Sequence, residues 1–294
     1  MIDSHTHCFP PELFTNPNSW AIKHKESQWL NLVKPRNGFT IQAWSSVETT
    51  LTSMDNAGIS KAILLGWYWE HKESCEKHNE LMKEWIDFAP DRFVAFAAID
   101  PSRAPIEQLE LAKSLGFKGV GELHPTIQNY SRYKKQWNII CEWCSDASWP
   151  INLHVTEGLN KSHPGYIKTD FNIYLELAEK FPNLKMILAH CGGGIPFYEC
   201  NPRIKTVFKN VYYDTAATPL LYNFKVFRHM IDMVGAEKII SGTDYPLKSF
   251  PKQNDSIQLK QFIDKINNET DLDDSEKDAI FSKNILKILH SQNP

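Results

Sequence analysis

The sequence predicts a closed (β/α)8 barrel, and three observations point there. Eight short apolar runs lack polar alternation, as strands buried on both faces do. A stretch of helical character follows each run, which makes the sheet parallel with right-handed crossovers. Histidines and carboxylates stand at the carboxyl ends of several runs, the face on which barrel sites are built. The runner-up is a doubly wound open sheet; against it, no Gly-rich phosphate loop follows the first strand.

Met1 and Ile2 begin the first strand, with His5 and His7 at its carboxyl end. Side chains two apart on a strand share a face, so the two imidazoles converge, about 6–7 Å apart along the chain. From Cys8 to about Trp44 runs a long excursion without clear periodicity, broken by Pro10, Pro11, Pro17 and Pro35. It reads equally as a functional loop or as a surface excursion packed by its own tryptophans. Ser45 or Ser46 caps a helix to about Asn56, with Gly58 past its end.

The second strand is Lys61–Trp67, and a helix from Lys72 to Phe88 closes at Pro90. Phe93–Asp100 is the third strand, followed by a helix over Ile106–Leu115. Gly119–His124 is the fourth, followed by a helix over Tyr133–Ala147. Pro150–Val155 is the fifth, followed by a helix over Phe171–Phe181. Leu184–His190 is the sixth, followed by a helix over Pro196–Lys209. Val211–Ala216 is the seventh, followed by a helix over Phe224–Val234. Lys238–Asp244 is the eighth, with two terminal helices near Ser256–Asn267 and Ser275–His290. No linker splits the chain, so residues 1–294 read as a single domain.

Composition narrows the function. The chain has 294 residues, 42% hydrophobic and 23% charged, enough for one large core. The balance of 32 basic against 35 acidic residues argues against nucleic acid and membrane surfaces as partners. The amino-terminal residues lack the pattern of a signal peptide, and no apolar run would span a bilayer. The six cysteines form no framework, which gives a reduced, cytoplasmic setting as the expectation. Cys141 and Cys144 form a lone pair on a predicted helix and read as buried packing, while Cys8 and Cys191 flank site histidines.

His5 and His7 end the first strand, Glu122 and His124 the fourth, His154 the fifth, His190 the sixth and Asp244 the eighth. Singly each has a bland reading: His154 or His190 as a satisfied core histidine, Asp244 as a helix cap, Glu122 as the partner of a buried base. His124 is either pocket or rim. Together, at the ends of five strands, they suit zinc or a similar divalent ion with room for a water. Such an ion makes hydroxide available at neutral pH.

These segments also resemble the amidohydrolase superfamily, in particular its amidohydrolase-2 branch of metal-dependent hydrolases and decarboxylases, related to aminocarboxymuconate semialdehyde decarboxylase. The resemblance runs over nearly the whole chain. It rests on Asp3-Ser-His-Thr-His7, Gly116-Phe-Lys-Gly-Val-Gly-Glu122, Leu153-His154, Leu188-Ala-His-Cys-Gly-Gly193, Gly242-Thr-Asp-Tyr-Pro246 and Asn284–Leu289. It implies a barrel with His5, His7, His154 and Asp244 as metal ligands and His190 as base or acid at the bound water. The superfamily's two-metal hydrolases often carry a bridging carboxylated lysine on the fourth strand. Here Glu122 stands in that region. One Zn2+ or other divalent ion is the first expectation, with two ions bridged by Glu122 as the alternative.

The expected activity is hydrolysis of a small organic substrate, with His190 or Asp244 moving the proton. The alternative is non-oxidative decarboxylation of a small aromatic or unsaturated acid. That reaction needs a cation near the departing carboxylate, for which Arg103 and Lys248 are candidates beside their reading as surface charges. Trp67, Trp69 and Tyr245 are candidates to clamp a planar substrate, or simply pack the mouth. A nuclease-like hydrolase of the TatD type and a non-catalytic binding barrel are the remaining readings. The first predicts a basic mouth and the second a missing ligand. The expected partner is a small-molecule substrate, with neither nucleic acid nor membrane, and a homodimer as the open assembly.

Overall fold

The computed structural model describes residues 1–33, 42–159, 166–248 and 259–290. The strands are β1 (Ile2–Thr6), β2 (Lys61–Leu65), β3 (Phe93–Phe96), β4 (Val120–Leu123), β5 (Ile151–Leu153), β6 (Met186–Leu188), β7 (Val211–Asp214) and β8 (Ile239–Ile240). Each pairs in parallel with the next inside two arcs, β1 to β3 and β4 to β8. Both seams are stitched by backbone hydrogen bonds. The Ala97 amide donates to the Gly119 carbonyl (2.9 Å) and the Gly121 amide to the Ala97 carbonyl (3.0 Å). At the other seam the Asp244 amide donates to the His5 carbonyl (2.9 Å) and the His7 amide to the Tyr245 carbonyl (2.7 Å). The eight strands therefore close as a (β/α)8 barrel.

The apolar runs account for this ring. Ala62, Ile63, Leu64 and Leu65 are all fully buried, as a strand covered by helices outside and side chains inside requires. Ile63, Leu65, Phe96, Ile187 and Ile240 gather in one cluster with Ile285 and Ile288 of the last helix.

Helix ends follow the sequence signals. Ser46 accepts from the Thr49 amide to cap Val47–Ala57, and Gly58 ends it in a left-handed conformation. Lys72–Phe88 keeps its expected limits. Leu259–Glu269 carries the first terminal helix; the start expected at Ser256 lies outside the described residues, as does Pro35. The second terminal helix begins at a capping box formed by Asp273 and Glu276. It continues through a wider turn, Ala279–Lys283, into Asn284–His290.

Two segments differ from expectation. The excursion after β1 holds three short helices, Glu12–Thr15, Pro17–His24 and Ser27–Val33. Each is too brief for periodicity to show, yet Asn16 caps the second and Pro17 occupies its first turn. Phe9, Leu13, Trp20, Trp29, Trp67 and Trp69 form its core. Trp67 and Trp69 follow β2, so the excursion packs its aromatics against the barrel mouth.

The helix expected over Pro196–Lys209 is interrupted. Tight turns run from His190 to Cys200, and only Pro202–Val207 is α-helical. Five consecutive residues, His190 to Gly194, have φ between 55° and 97°. Glycine suits this path for two reasons. It adopts positive φ freely, and a Cβ on Gly192 would lie 2.6 Å from the Tyr213 ring.

Candidate metal centre

β1 delivers His5 and His7 into the mouth with their outer nitrogens already engaged. The His5 Nδ1 donates to Asp214 Oδ2 at 2.8 Å, and the His7 Nδ1 donates to the Leu65 carbonyl at 3.1 Å. Each acceptor lacks a proton to give, so each ring in its neutral form keeps its lone pair on Nε2. Those two Nε2 atoms stand 3.2 Å apart. Asp244 Oδ1 lies 3.7 Å from the first and 3.4 Å from the second. The three donors fall within 4.8 Å of one another, as do those of His5, Glu122 and His190.

Asp244 arrives by a local device. Asp3 shares its parity with His5 and His7, and its carboxylate accepts from the His5 amide (3.2 Å), the Thr243 amide (3.0 Å) and the Thr243 hydroxyl. That ties the first strand to the Gly-Thr-Asp turn. Burial pushes the Asp3 carboxyl up to about 7 despite those bonds. Asp244 itself sits at φ 65°, a left-handed position that aspartate tolerates better than most residues.

Glu122 lies between two histidine pairs. Its Oε1 is 2.8 Å from His154 Nδ1 and 3.2 Å from His190 Nε2. Its Oε2 is 3.9 Å from His5 Nε2 and 3.8 Å from His7 Nε2. A Cβ on Gly121 would strike the Asn152 carbonyl at 2.5 Å, so only glycine lets β4 approach β5 this closely. His190 Nδ1 lies 3.8 Å from Asp244 Oδ2. Tyr174 donates to the His154 carbonyl, fixing that backbone.

Charge states follow from these contacts. Burial alone would lower the His5 imidazole; the Asp214 carboxylate reverses this and holds it up to about 9. Burial opposes the His190 proton too, but Glu122, then Asp244 and Asp214, hold it up to about 10. Burial would raise Glu122, yet His154, His190 and His5 keep it well below the ordinary carboxylate range. Asp214 and Asp244 are likewise lowered by the histidines, against their burial. The mouth therefore keeps three buried carboxylates ionised and favours positive charge among them.

The donor set fits a divalent cation. Bonds of about 2.0–2.2 Å to nitrogen and oxygen separate tetrahedral ligand atoms by about 3.3–3.6 Å. The spacings of 3.2, 3.4 and 3.7 Å among His5, His7 and Asp244 bracket that span.

Sequence reasoning missed Asp214, Asp3 and Asn152. Asp214 ends an apolar strand just as the chosen residues do, and that signal was available. It holds His5, accepts from the His190 and Ala216 amides (both 3.0 Å), and accepts from Asn152 Nδ2 (3.0 Å). Of the rim candidates, Trp67 meets His7 edge to face at 5.3 Å and stacks on Tyr68 at 4.3 Å. Tyr68 in turn contacts the rings of His124 and His154. Trp69 instead donates to His78 inside the aromatic core. Tyr245 is buried with its hydroxyl against Ser45 (2.7 Å). Arg103 is exposed and paired with Glu73. His124 Nδ1 accepts from the Thr126 and Ile127 amides, and burial holds the ring well below its ordinary pKa. Cys141 and Cys144 are buried in the core.

Comparison with known proteins agrees with this architecture. The amidohydrolase family model Amidohydro_2 matches residues 2–290. The γ-resorcylate decarboxylase of Rhizobium sp. is 23% identical, over 62% of this chain and 68% of the relative. The 5-carboxyvanillate decarboxylase of Sphingomonas paucimobilis superimposes with a TM-score of 0.72 at 17% identity, covering 99% of this chain and 98% of that one. A dihydroxybenzoic acid decarboxylase from Polaromonas sp., solved with bound manganese and an inhibitor, gives 0.62 at 18% identity, covering 100% and 97%. A probable 2-pyrone-4,6-dicarboxylic acid hydrolase from Acinetobacter baumannii gives 0.64 at 15% identity, covering 98% of each chain.

Proposed function

Because the chain belongs to the amidohydrolase family, we propose that it is a single-domain, metal-dependent hydrolase of a small organic substrate. His5, His7 and Asp244 would hold the ion, with Glu122 and His154 completing the set at its edge. Imidazole and carboxylate donors suit Zn2+, and a manganese-bound relative supports a divalent ion in general. Such an ion supplies a Lewis acid and lowers the pKa of water to about 7. Asp244 and His190 form the acid–base pair, since Asp244 Oδ2 faces His190 Nδ1 at 3.8 Å. Asp244 accepts the proton of the attacking water, and the pair returns it to the leaving group. Trp67 and Tyr68 wall one side of the mouth and exclude bulk water there. The partner is a small molecule in a cytoplasmic setting, without nucleic acid or membrane, and a homodimer is the proposed assembly. No helix among the described residues is long and apolar enough to cross a membrane.

One observation carries hydrolysis over its rival. No lysine or arginine is buried among the described residues, while Glu122, Asp214 and Asp244 all are. A departing carboxylate would meet those carboxylates there, with no lysine or arginine buried beside it among the described residues. Decarboxylation remains the second reading because the curated relative is a decarboxylase. The test incubates metal-loaded protein with small esters, lactones and amides, and separately with hydroxybenzoic acids. Acid release without carbon dioxide is expected. Carbon dioxide from an aromatic acid, with no ester, lactone or amide cleaved, would replace hydrolase by lyase.

A further inference from the structure

We infer that Tyr68 and His124 bind the substrate, donating hydrogen bonds from the Tyr68 hydroxyl and His124 Nε2 to the oxygens of an acyl or carboxyl group. The inference rests on the small-molecule reading above and names the part of the substrate that is held beside the candidate ligands.

The two side chains meet at the carboxyl ends of their strands, Tyr68 just after β2 and His124 just after β4. Their ring centres stand 5.1 Å apart, edge to face. His124 stacks on His154 at 4.7 Å, and Tyr68 meets the same ring at 5.3 Å. Trp67 stacks on Tyr68 at 4.3 Å, so the phenol ring is held in place. Both rings therefore border a histidine of the candidate metal centre.

Their polar atoms are left open. The Thr126 and Ile127 amides both donate to His124 Nδ1, at 3.3 and 3.4 Å, so the neutral ring carries its proton on Nε2. After burial, the charges that act on the Tyr68 phenol are those of Glu122 and Asp244, which puts it on the side of the carboxylates. Among the described residues neither the Tyr68 hydroxyl nor His124 Nε2 has a hydrogen-bond partner, although Tyr68 is 4% exposed and His124 1%. Neither belongs with the sealed polar atoms such as Trp29 Nε1 and the Tyr130 hydroxyl, so both still reach open space. Buried donors are ordinarily satisfied, and a pair left open beside a candidate metal centre suits an incoming acceptor. Glu122 and Asp244 only accept when ionised, and His5 and His7 turn lone pairs inward. Tyr68 and His124 bring donors to the same mouth, and an acyl or carboxyl group presents the oxygens they require.

The experiment loads the full-length protein, carrying isotope-labelled histidine, with Zn2+ and counts the bound ion. Benzoate and benzamide are then titrated in, followed by nitrogen NMR of the His124 ring and by calorimetry. His124 should be protonated on Nε2, and that resonance should move as at least one probe saturates. Tyr68→Phe, which keeps the ring, and His124→Phe should each weaken that probe about 3–10-fold, the loss of one neutral hydrogen bond, with bound Zn2+ unchanged. Tighter binding of benzoate would mark a carboxyl group as the recognised part, and tighter binding of benzamide an acyl group. Unchanged affinity in Tyr68→Phe, a proton on His124 Nδ1, or a wild type that binds neither probe would overturn the inference and leave the metal-dependent hydrolase standing. Probe binding that depends on the pair in a protein that retains no Zn2+ would remove the metal-dependent reading and leave this one. Tyr68→Phe and the wild-type spectrum decide the matter where His124→Phe fails to fold.

Discussion

The barrel mouth and the aromatic excursion bury the same residue types to opposite effect. In the mouth, histidines face carboxylates: His5 is held up to about 9 by Asp214, against its burial, and Glu122 is held low by His154 and His190, against its own. Beside the excursion, His78 has no acidic partner. Burial pulls it down to about 3, and it stays neutral, accepting from the Trp67 amide and Trp69 Nε1 while donating to the Cys8 carbonyl. Glu26 in the excursion is the mirror case. It accepts from the Glu70 amide, has one oxygen without a partner, and burial raises it to about 7. Burial sets the default, which is neutral, and only an opposite charge within hydrogen-bonding reach reverses it. A site for a cation and a structural polar contact can thus use the same side chains.

The sharpest way to break this contrast is His5→Ala. Metal retention should fall at least about a hundredfold, beyond the loss expected for a supporting partner, as measured by dialysis and metal analysis. Unchanged metal content would remove His5 from the ligand set. His78→Ala should behave in reverse. It leaves two buried donors and one acceptor unpaired, costing roughly 3 kcal/mol in urea unfolding, with metal content intact. A loss of metal without a loss of stability would put His78 in the wrong region.

Asp214→Asn probes the support beneath His5. The amide would present N–H groups to His5 Nδ1, shifting the ring proton to Nε2, where it blocks ligation. Metal affinity should drop about 10–100-fold in competition with a chromophoric chelator, and the unfolding midpoint should fall as well, because an amide N–H in this buried place meets the Asn152 donor. The smallest effect belongs to Glu26. Its folded pKa of about 7 exceeds the ordinary 4.5, so its contribution is fully present below 4.5 and is lost as pH rises through 7. Glu26→Gln should therefore stabilise the protein at pH 8, on the order of 1 kcal/mol, and the gain should shrink at pH 5. A gain that does not change with pH would mean that the carboxylate is not the cause.

Much of the barrel was legible because its signals are local. Apolar runs such as Lys61–Leu65, the Ser46 and Gly58 caps, and histidines spaced two apart on one strand need only short stretches of chain to be read. The interruption after His190 was harder to see. A glycine run shows that an unusual path is allowed, but the Tyr213 ring that forbids a Cβ at Gly192 comes from a strand about twenty residues away. The short excursion helices were hidden for another reason, since a helix of four to eight residues is held by the tryptophans it packs against and not by its own periodicity.

By itself the sequence determined the eight strands, most of the helices between them, and that His5, His7, Glu122, His154, His190 and Asp244 sit at strand ends, because alternation along a strand and capping at a helix are properties of neighbours in the chain. Only the tertiary structure decided how those side chains divide around Glu122, that Asp214 sets the free nitrogen of His5, and that His78 stays outside the site. Those outcomes depend on distances of about 3 Å between residues far apart in sequence, which exist only once the ring has closed.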